Sequence, residues 1–412
     1  MTHQLSSSAS AAIATPAPTR QIFISTGEVS GDLQGSLLIE ALRRQGAARG
    51  MPLALRGLGG ERMANAGMSL VADTTQMSAF GIQEVLPMIL PSLKINQQVR
   101  QAIQAEPPDL LILIDYEGFN ISLGRYVKQH FPQTRIIYYI APQLWVWNPF
   151  PSKLRDIVSF SDRIFAIFPD EAQYFGDAGG NVDWVGHPLI DRINAAPSRA
   201  AARAQLGIPA DQLMIALLPA SRPQELKTLL PMICTAAQQI QQQYPNAQFW
   251  LPLSVRDFRP QIEAALARAG VQATIVENQR LTTLAAADLA ITKSGTVSLE
   301  LALLNIPQVV VYRISWLTMA VARYIFKIVI PYVAPPNLLL KKLAVPELLQ
   351  EEATVANICR ESLDILANPT RRSQINADYE RMKVGLGTPG VCDRTANAIL
   401  DLITPPNPHA RL

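Results

Sequence analysis

The chain has 412 residues, of which 49% are hydrophobic and 17% charged, and its formal net charge is +3. This length fits two domains of roughly 150 to 200 residues each. The small net charge, and the lack of a basic run or a zinc-ligand spacing, argue against a nucleic-acid partner. Cys234, Cys359 and Cys392 are far apart, as is typical of buried thiols in a reducing compartment, so no metal or redox centre is expected.

The N-terminal residues 1–20 are rich in Ser, Ala, Thr and Pro, contain no acidic residue and lack the apolar core of a secretory signal. We predict a disordered tail, with an organellar transit peptide as the less favoured alternative because such peptides share this composition. The most apolar long window, residues 314–340, is interrupted by Arg323, Lys327 and several prolines. It is therefore not expected to span a bilayer.

Strand-like and helix-like segments alternate along the chain. The apolar runs of the first half lie at residues 21–26, 110–114, 135–140 and 163–168, and those of the second half at 213–218, 288–292 and 308–312. These runs lack polar alternation, which predicts parallel strands buried on both faces. We therefore predict an α/β fold with two Rossmann-like domains, residues 21–190 and 191–375, and a helical segment, residues 376–412, that packs back on the first domain.

The segment Ser294-Gly295-Thr296 joins a predicted strand to a helix that carries Glu300. The amides and dipole at a helix N-terminus bind phosphate. Glu300 lies four residues after Thr296, roughly 6 Å along the axis, where a carboxylate could bind the hydroxyls of a ribose whose phosphates lie on the amides. The alternative is a Ser/Thr cap followed by a surface Glu.

The first loop, residues 27–32, reads Gly-Glu-Val-Ser-Gly-Asp. Ligands of open α/β sheets bind at the carboxyl ends of strands, so Glu28, Ser30 and Asp32 are expected to face a cleft. The alternative is that Ser30 caps the following helix and Asp32 offsets its dipole. Neither this loop nor residues 57–60 has the G-x-G-x-x-G spacing, which argues against a dinucleotide-dependent dehydrogenase.

Taken together, these motifs resemble the lipid-A-disaccharide synthases, inverting glycosyltransferases with the GT-B fold of two facing Rossmann-like domains. The resemblance covers roughly residues 21–402. The matching segments, in chain order, are residues 27–32, 81–87, 141–147, 186–188, Ser221-Arg222 with Glu225, Ser294-Gly295-Thr296 with Leu299-Glu300, 336–339 with Asn337, and 346–350.

The resemblance implies transfer of a diacylglucosamine unit from UDP-2,3-diacylglucosamine to the 6-hydroxyl of 2,3-diacylglucosamine 1-phosphate, giving a β-1,6 disaccharide and UDP. It implies an acceptor-side first domain, a UDP-sugar-binding second domain, and neither cofactor nor metal. The expected partners are the lipid donor, the lipid acceptor and a membrane surface, and the expected place is the cytoplasmic face of the inner membrane. A homodimer is an alternative to a monomer that the sequence leaves open.

Two residues are assigned to catalysis. Asp115 follows the strand at residues 110–114 and matches the first acid of a family motif, so we predict that it is the general base. Glu28 and Asp32 are its rivals, and capping of the next turn is its alternative role. Arg222 follows the strand at 213–218, and its guanidinium suits the leaving diphosphate, with capping by Ser221 as the alternative.

The substrate-binding residues implied by the resemblance are Glu28, Ser30, Asp32, Ser221, Glu225, Ser294, Gly295, Thr296, Glu300 and Asn337. His187 is expected to fix the domain junction. The sequence departs from the family pattern at Ala220, at Glu117-Gly118 and at Pro335, which puts rate and acceptor choice in doubt. Ala220 adds a Cβ where a positive φ or a close approach to phosphate is plausible.

Acyl substrates require contact with lipid. Residues 313–346 contain five basic residues and no acidic one, with Arg323 and Lys327 one turn apart, which predicts an interfacial helix. Residues 85–93 are a second candidate, and domain core is the alternative for both. Two other functions stay open: another UDP-sugar GT-B enzyme, such as a transferase or a UDP-N-acetylglucosamine epimerase, and a non-catalytic lipid- or nucleotide-sugar-binding relative.

Overall fold

The computed structural model describes residues 18–75, 89–315, 319 and 331–404. Within these ranges the chain forms two parallel sheets, each flanked by helices. Strand β4 consists of Leu, Ile and no polar residue, and all its residues are buried, as expected for a central strand covered on both faces. The predicted α/β fold with two Rossmann-like parallel sheets is confirmed.

The first sheet has seven parallel strands in the order β3-β2-β1-β4-β5-β6-β7, and we call this part the first lobe. Its strands are β1 Arg20–Ser25, β2 Leu53–Gly59, β3 Ser69–Asp73, β4 Leu110–Ile114, β5 Arg135–Tyr139, β6 Arg163–Ala166 and β7 Val182–Trp184. Its helices are α1 Val29–Ala48, α2 Glu61–Asn65, α3 Ile89–Ala105, α4 Glu117–His130, α5 Pro151–Phe160 and α6 Pro169–Asp177.

The second sheet has six parallel strands in the order β10-β9-β8-β11-β12-β13, and we call this part the second lobe. Its strands are β8 Met214–Leu218, β9 Gln248–Pro252, β10 Ala273–Val276, β11 Leu289–Lys293, β12 Gln308–Tyr312 and β13 Glu347–Leu349. The remaining helices are α7 Leu189–Asn194, α8 Arg199–Leu206, α9 Pro223–Thr228, α10 Leu230–Gln243, α11 Arg259–Ala269, α12 Arg280–Ala286, α13 Thr296–Leu303, α14 Pro335–Leu340, α15 Val355–Ala367, α16 Pro369–Val384 and α17 Val391–Ile403.

Both sheets reverse their strand order at one point. In the first lobe β1 pairs with both β2 and β4, and in the second lobe β8 pairs with both β9 and β11. Such switch points leave a crevice at the carboxyl ends of the two central strands, where ligands of α/β proteins bind. The loops after β1, β4, β8 and β11 carry most of the site residues predicted from the sequence.

The last helix, α17, lies against α1 of the first lobe. Arg44 and Arg49 of α1 pair with Asp393 and Asp401 of α17, at 2.7 Å in each case. Asp191 caps the start of α17. It lies on α7, which we call the junction helix because it follows the last strand of the first lobe and precedes the second lobe in sequence. Its carboxylate accepts the N–H groups of residues 390–392 at 2.6, 3.1 and 2.7 Å. The exact domain limits inferred from the sequence stay a prediction.

Several sequence predictions fall on residues outside the described ranges. They include the motif at residues 81–87 and parts of the two proposed interfacial segments, namely residues 85–88 of 85–93, and residues 316–318 and 320–330 of 313–346. In the part of the chain that is described, no helix is both long and apolar enough to cross a bilayer.

Candidate active site

A cleft of about 440 Å³ lies between the two lobes. The carboxyl ends of β1, β4, β8 and β11 all contribute to its wall. Nine of the residues predicted from the sequence line it, namely Glu28, Ser30, Asp115, Ser221, Arg222, Ser294, Gly295, Thr296 and Glu300. The two switch points thus bring together side chains that are far apart in sequence.

Asp115 is the first residue after β4, and its backbone has a positive φ of 46°. Tyr116 follows with a φ of 50°, so two successive residues other than glycine adopt the left-handed conformation. The Asp115 carbonyl accepts hydrogen bonds from the Tyr138 hydroxyl and the Asn120 amide, both at 2.8 Å. These contacts hold the turn that directs Asp115 into the cleft.

The surroundings of Asp115 favour its protonated form. Burial raises its pKa from 3.8 to about 7, and the negative charges of Glu28 and Glu117 add to that rise, whereas Arg222 opposes it. A carboxylate with a pKa near neutrality can take up a proton during a reaction and release it again. Asp115 therefore has the chemistry of a general base.

Arg222 reaches across the cleft to the first lobe. Its Nη2 lies 3.1 Å from Oε2 of Glu28, in the loop after β1. Within its own lobe, Glu225 holds the turn before α9, because one oxygen accepts the N–H groups of Ser221 at 2.7 Å and Arg222 at 3.1 Å. Lys293 lies 3.3 Å from the other Glu225 oxygen. Two cations therefore border the cleft beside the start of α13.

The loop before α13 is open to a ligand. Gly295, with a φ of 133°, is the residue before the helix, and no side chain caps this N-terminus. The Ser294 hydroxyl donates to the carbonyl of Val333 at 2.9 Å instead of to the helix. The Ser/Thr cap considered from the sequence is thus not formed, and the positive end of the helix dipole faces the cleft.

Glu300 is not a surface residue, since it is only 1% exposed. Its Oε2 accepts a hydrogen bond from Arg280 Nη2 at 2.8 Å. Its Oε1 lies 3.3 Å from Nε of Arg192, on the junction helix α7. The carboxylate is therefore held between two arginines at the wall of the cleft.

Three predicted binding residues do not line the cleft, because their polar groups are used within the protein. Asp32 accepts the N–H groups of Gly60 at 2.8 Å, Arg62 at 3.2 Å and Met63 at 3.0 Å, and so caps α2. Glu225 holds the turn described above. Asn337 is fully buried, and its side chain binds the backbone of residues 344 and 345 and the Glu347 carboxylate. Each supports the wall from behind.

The structure gives physical reasons for the residues of the first loop. A Cβ on Gly27 would lie 2.3 Å from the Tyr116 ring, and one on Gly31 would lie 1.8 Å from the Thr26 hydroxyl. Gly27 thus permits close packing against the turn that follows Asp115, and Gly31 permits close packing of α1 against Thr26. The departure at Ala220 brings no backbone strain, because its φ is not positive. Glu117 forms an ion pair with Lys153.

The cleft also contains residues that the sequence analysis missed or gave another role, among them Arg62, His187, Arg192 and Arg280. His187 is buried, its Nδ1 accepts the Leu189 N–H at 3.1 Å, and burial lowers its pKa to about 3. The imidazole is therefore neutral, and it contacts the first residue of α7. The arginines carry no local sequence signal. Among the residues that the structure covers, no cluster of His, Cys, Asp and Glu could hold a metal ion.

Residues 22–401 match the family described as lipid-A-disaccharide synthetase. A lipid-A-disaccharide synthase from Gloeothece citriformis is 52% identical over 93% of this chain and 100% of the relative. Another from Prochlorococcus marinus is 44% identical over 93% of this chain and 99% of the relative.

Solved structures agree with the fold. A UDP-N-acetylglucosamine 2-epimerase from Listeria monocytogenes superposes with a TM-score of 0.65 at 15% identity, covering 95% of this chain and 98% of that one. The corresponding Neisseria meningitidis epimerase, solved with UDP-GlcNAc, gives 0.63 at 12% identity, covering 93% and 99%. At such low identity these structures show the GT-B fold alone. The family match and the curated relatives go further: this chain is an enzyme of the lipid-A-disaccharide synthetase family of glycosyltransferases.

Proposed function

We propose that the protein transfers diacylglucosamine from UDP-2,3-diacylglucosamine to the 6-hydroxyl of 2,3-diacylglucosamine 1-phosphate, with inversion at the anomeric carbon and release of UDP. The observation that carries this proposal is the juxtaposition of Asp115, Arg222 and the open N-terminus of α13 around one cleft. An acid with a pKa of about 7 faces a cation and a helix dipole. Inverting transfer requires a base on one side and stabilisation of a leaving group on the other.

Asp115 removes the proton of the acceptor hydroxyl as this oxygen attacks the anomeric carbon. The bond between that carbon and the β-phosphate oxygen breaks, and its electron pair leaves with UDP. A single displacement of this kind inverts the configuration and gives a β linkage from an α-linked donor. The left-handed turn at Asp115 and Tyr116 supports this role because it directs the carboxylate into the cleft.

Charge that develops on the diphosphate is stabilised by the second lobe. Arg222 offers a planar set of donors suited to phosphate oxygens, and the amides at the start of α13 add a positive dipole. In this structure Arg222 binds Glu28 at 3.1 Å, so the diphosphate takes the place of a carboxylate on this guanidinium. We further propose that Glu300 accepts hydrogen bonds from the ribose of the donor.

The reaction is tested with purified protein and the two lipid substrates, with mass detection of the disaccharide 1-phosphate and of UDP. Formation of both products in equal amounts is expected, and nuclear magnetic resonance of the product should show the β-1,6 linkage. An incubation without acceptor separates transfer from epimerisation, because an epimerase converts the UDP-sugar alone. Conversion without acceptor, or no product with both substrates, would contradict the proposal.

We also propose that the enzyme works at the cytoplasmic surface of the inner membrane without crossing it. Lipid substrates call for a membrane surface, and the basic composition of residues 313–346 supports binding to anionic lipid. Flotation with vesicles that contain or lack anionic lipid tests this. Binding that needs anionic lipid and weakens with salt is expected, whereas no flotation in either case would exclude it. The oligomeric state is measured in the same preparations.

A further inference from the structure

Two buried polar atoms at the wall of the cleft face each other without forming a hydrogen bond. They are Oε1 of Glu300 and Nε of Arg192, which are 3.3 Å apart. Neither atom has a hydrogen-bond partner among the residues that the structure describes. Glu300 is 1% exposed, so water does not cover its carboxylate freely. Buried polar groups in native proteins almost always have partners, so a mispaired donor and acceptor at a ligand cleft point to a ligand.

The other contacts of Glu300 explain why this oxygen is available. Arg280 donates to Oε2 at 2.8 Å and is itself close to the Ser254 hydroxyl at 3.3 Å. Arg280 thus fixes the carboxylate from the side of α12 and leaves Oε1 directed towards Arg192. Both arginines and Glu300 line the same cleft. The unsatisfied pair therefore lies where a ligand can reach it.

A hydroxyl group fits between these atoms because it donates one hydrogen bond and accepts others. We propose that Arg192 and Glu300 together bind the vicinal hydroxyls of the donor's ribose, one hydroxyl donating to Glu300 Oε1 and the same or the adjacent one accepting from Arg192 Nε. Arg192 is then a specificity-determining residue that selects a ribonucleotide over a deoxyribonucleotide. This inference rests on the proposed UDP-sugar site.

The position of Arg192 gives this contact a second consequence. Arg192 lies on helix α7, between the two lobes in sequence. This helix contacts α13 of the second lobe and α17, which packs on the first lobe. The neighbouring Asp191 fixes the start of α17 through three backbone N–H groups. The helix that carries Arg192 thus contacts elements associated with both lobes. Ribose binding would connect this helix, α7, to α13, which carries Glu300.

The experiment measures binding of UDP, 2′-deoxy-UDP and 3′-deoxy-UDP by calorimetry to the full-length protein and to Arg192→Met and Arg192→Lys. The wild-type protein is expected to bind at least one deoxy analogue on the order of 10-fold more weakly than UDP. In both variants this ratio should fall to roughly 2 to 3, because neither side chain offers the Nε–H donor. Arg360→Met removes a charge from an exposed ion pair with Glu361 and is the matched control, with the wild-type ratio expected.

Each other outcome decides the question. If Arg192→Met weakens the binding of UDP and of both analogues by the same factor, Arg192 contributes only charge or packing, and the inference is wrong. If the wild-type protein binds UDP but does not distinguish the analogues, the inference is wrong while the donor site stands. A wild-type protein that fails to bind UDP overturns both. If Arg192→Lys keeps the wild-type ratio, a general cationic donor is sufficient for selectivity, and the proposed contact through Nε–H is wrong.

Discussion

Asp115 combines an uncommon backbone conformation with an unusual charge environment. Left-handed φ values of 46° and 50° at Asp115 and Tyr116 cost about 1–3 kcal/mol each for residues other than glycine. The hydrogen bonds from Tyr138 and Asn120 to the Asp115 carbonyl, both at 2.8 Å, oppose this cost. Strain of this kind persists where the surroundings fix it, and here it positions the proposed base before substrate binds.

Replacement of this base tests its role most directly. Asp115→Asn is expected to lower kcat by about 10²–10⁴, the usual contribution of a general base. UDP binding should change by less than about threefold, because the amide keeps the shape of the side chain. Steady-state kinetics and calorimetry measure the two quantities separately. An Asn variant with more than about a tenth of wild-type kcat would exclude Asp115 as the base.

The pH dependence of the reaction follows from the raised pKa. Because the base must be ionised, kcat/KM should fall about tenfold per unit below a pKa of about 7. Glu28→Gln removes a negative charge that raises the Asp115 pKa, so this acidic limb should move to lower pH. Glu117→Gln removes a smaller contribution and should move it less, in the same direction. A limb that stays in place in both variants would mean that another group titrates.

The raised pKa of Asp115 also makes the stability of the protein depend on pH. Asp115 binds its proton more tightly in the folded protein, since its pKa rises from 3.8 to about 7. The free energy of unfolding should therefore decrease as the pH rises through this window, and the loss is complete above it. Asp115→Asn removes the loss, so the variant should be more stable than the wild type at pH 8 and similar at pH 4. Urea unfolding at the two pH values measures this difference.

At the scale of single elements, Asp32 shows how a predicted binding residue can be a structural one. Its carboxylate accepts the N–H groups of residues 60, 62 and 63 and so caps α2 from α1. Asp32→Ala should cost about 1–2 kcal/mol of stability, as for other lost helix caps. kcat/KM of the folded variant should stay within about threefold of wild type. A large loss of kcat/KM without a loss of stability would return Asp32 to the binding site.

The strands and the loops differ in how far the sequence predicts them. Strands β4 and β12 were predicted with the bounds that the structure has, because uninterrupted apolar runs leave few alternatives. The rule that ligands bind at the carboxyl ends of parallel strands also predicts that Asp115, Arg222 and Glu300 lie at one cleft, and all three line it. That rule gives the location of a loop but not the direction of each side chain in it. Asp32 follows the same strand as Glu28, yet it lies in the first turn of α1 and points to the neighbouring loop.

The arginines around Glu300 were beyond prediction for a different reason. Arg192 comes from the junction between the lobes and Arg280 from the start of α12, and both meet Glu300 only in the folded chain. Neither belongs to a local motif or a periodic pattern. Long-range pairs of this type depend on how separate elements pack, so a single sequence carries no direct signal of them.

At the scale of the whole molecule, the C-terminal helix closes the chain on the lobe where it began. Helix α17 buries Val391, Ala396, Ile399, Leu400 and Ile403, and α1 buries an apolar face that includes Leu38 and Leu42. The ion pairs of Arg44 and Arg49 are partly exposed and contribute little by comparison. Burial of large aliphatic side chains is worth roughly 1.5–3 kcal/mol each, so this interface is a sizeable share of the stability of the first lobe.

Loss of this helix should therefore affect folding before it affects chemistry. A protein that ends at Gly390 leaves the apolar face of α1 uncovered, and the lost burial is comparable with the total stability of about 5–15 kcal/mol that domains have. We expect aggregation or a melting temperature lowered by more than about 10 °C. A protein that ends at Thr404 keeps all of α17 and is the matched control, with wild-type melting and activity expected. Unchanged melting of the shorter protein would show that the contact of α17 with α1 contributes little to the stability of the first lobe.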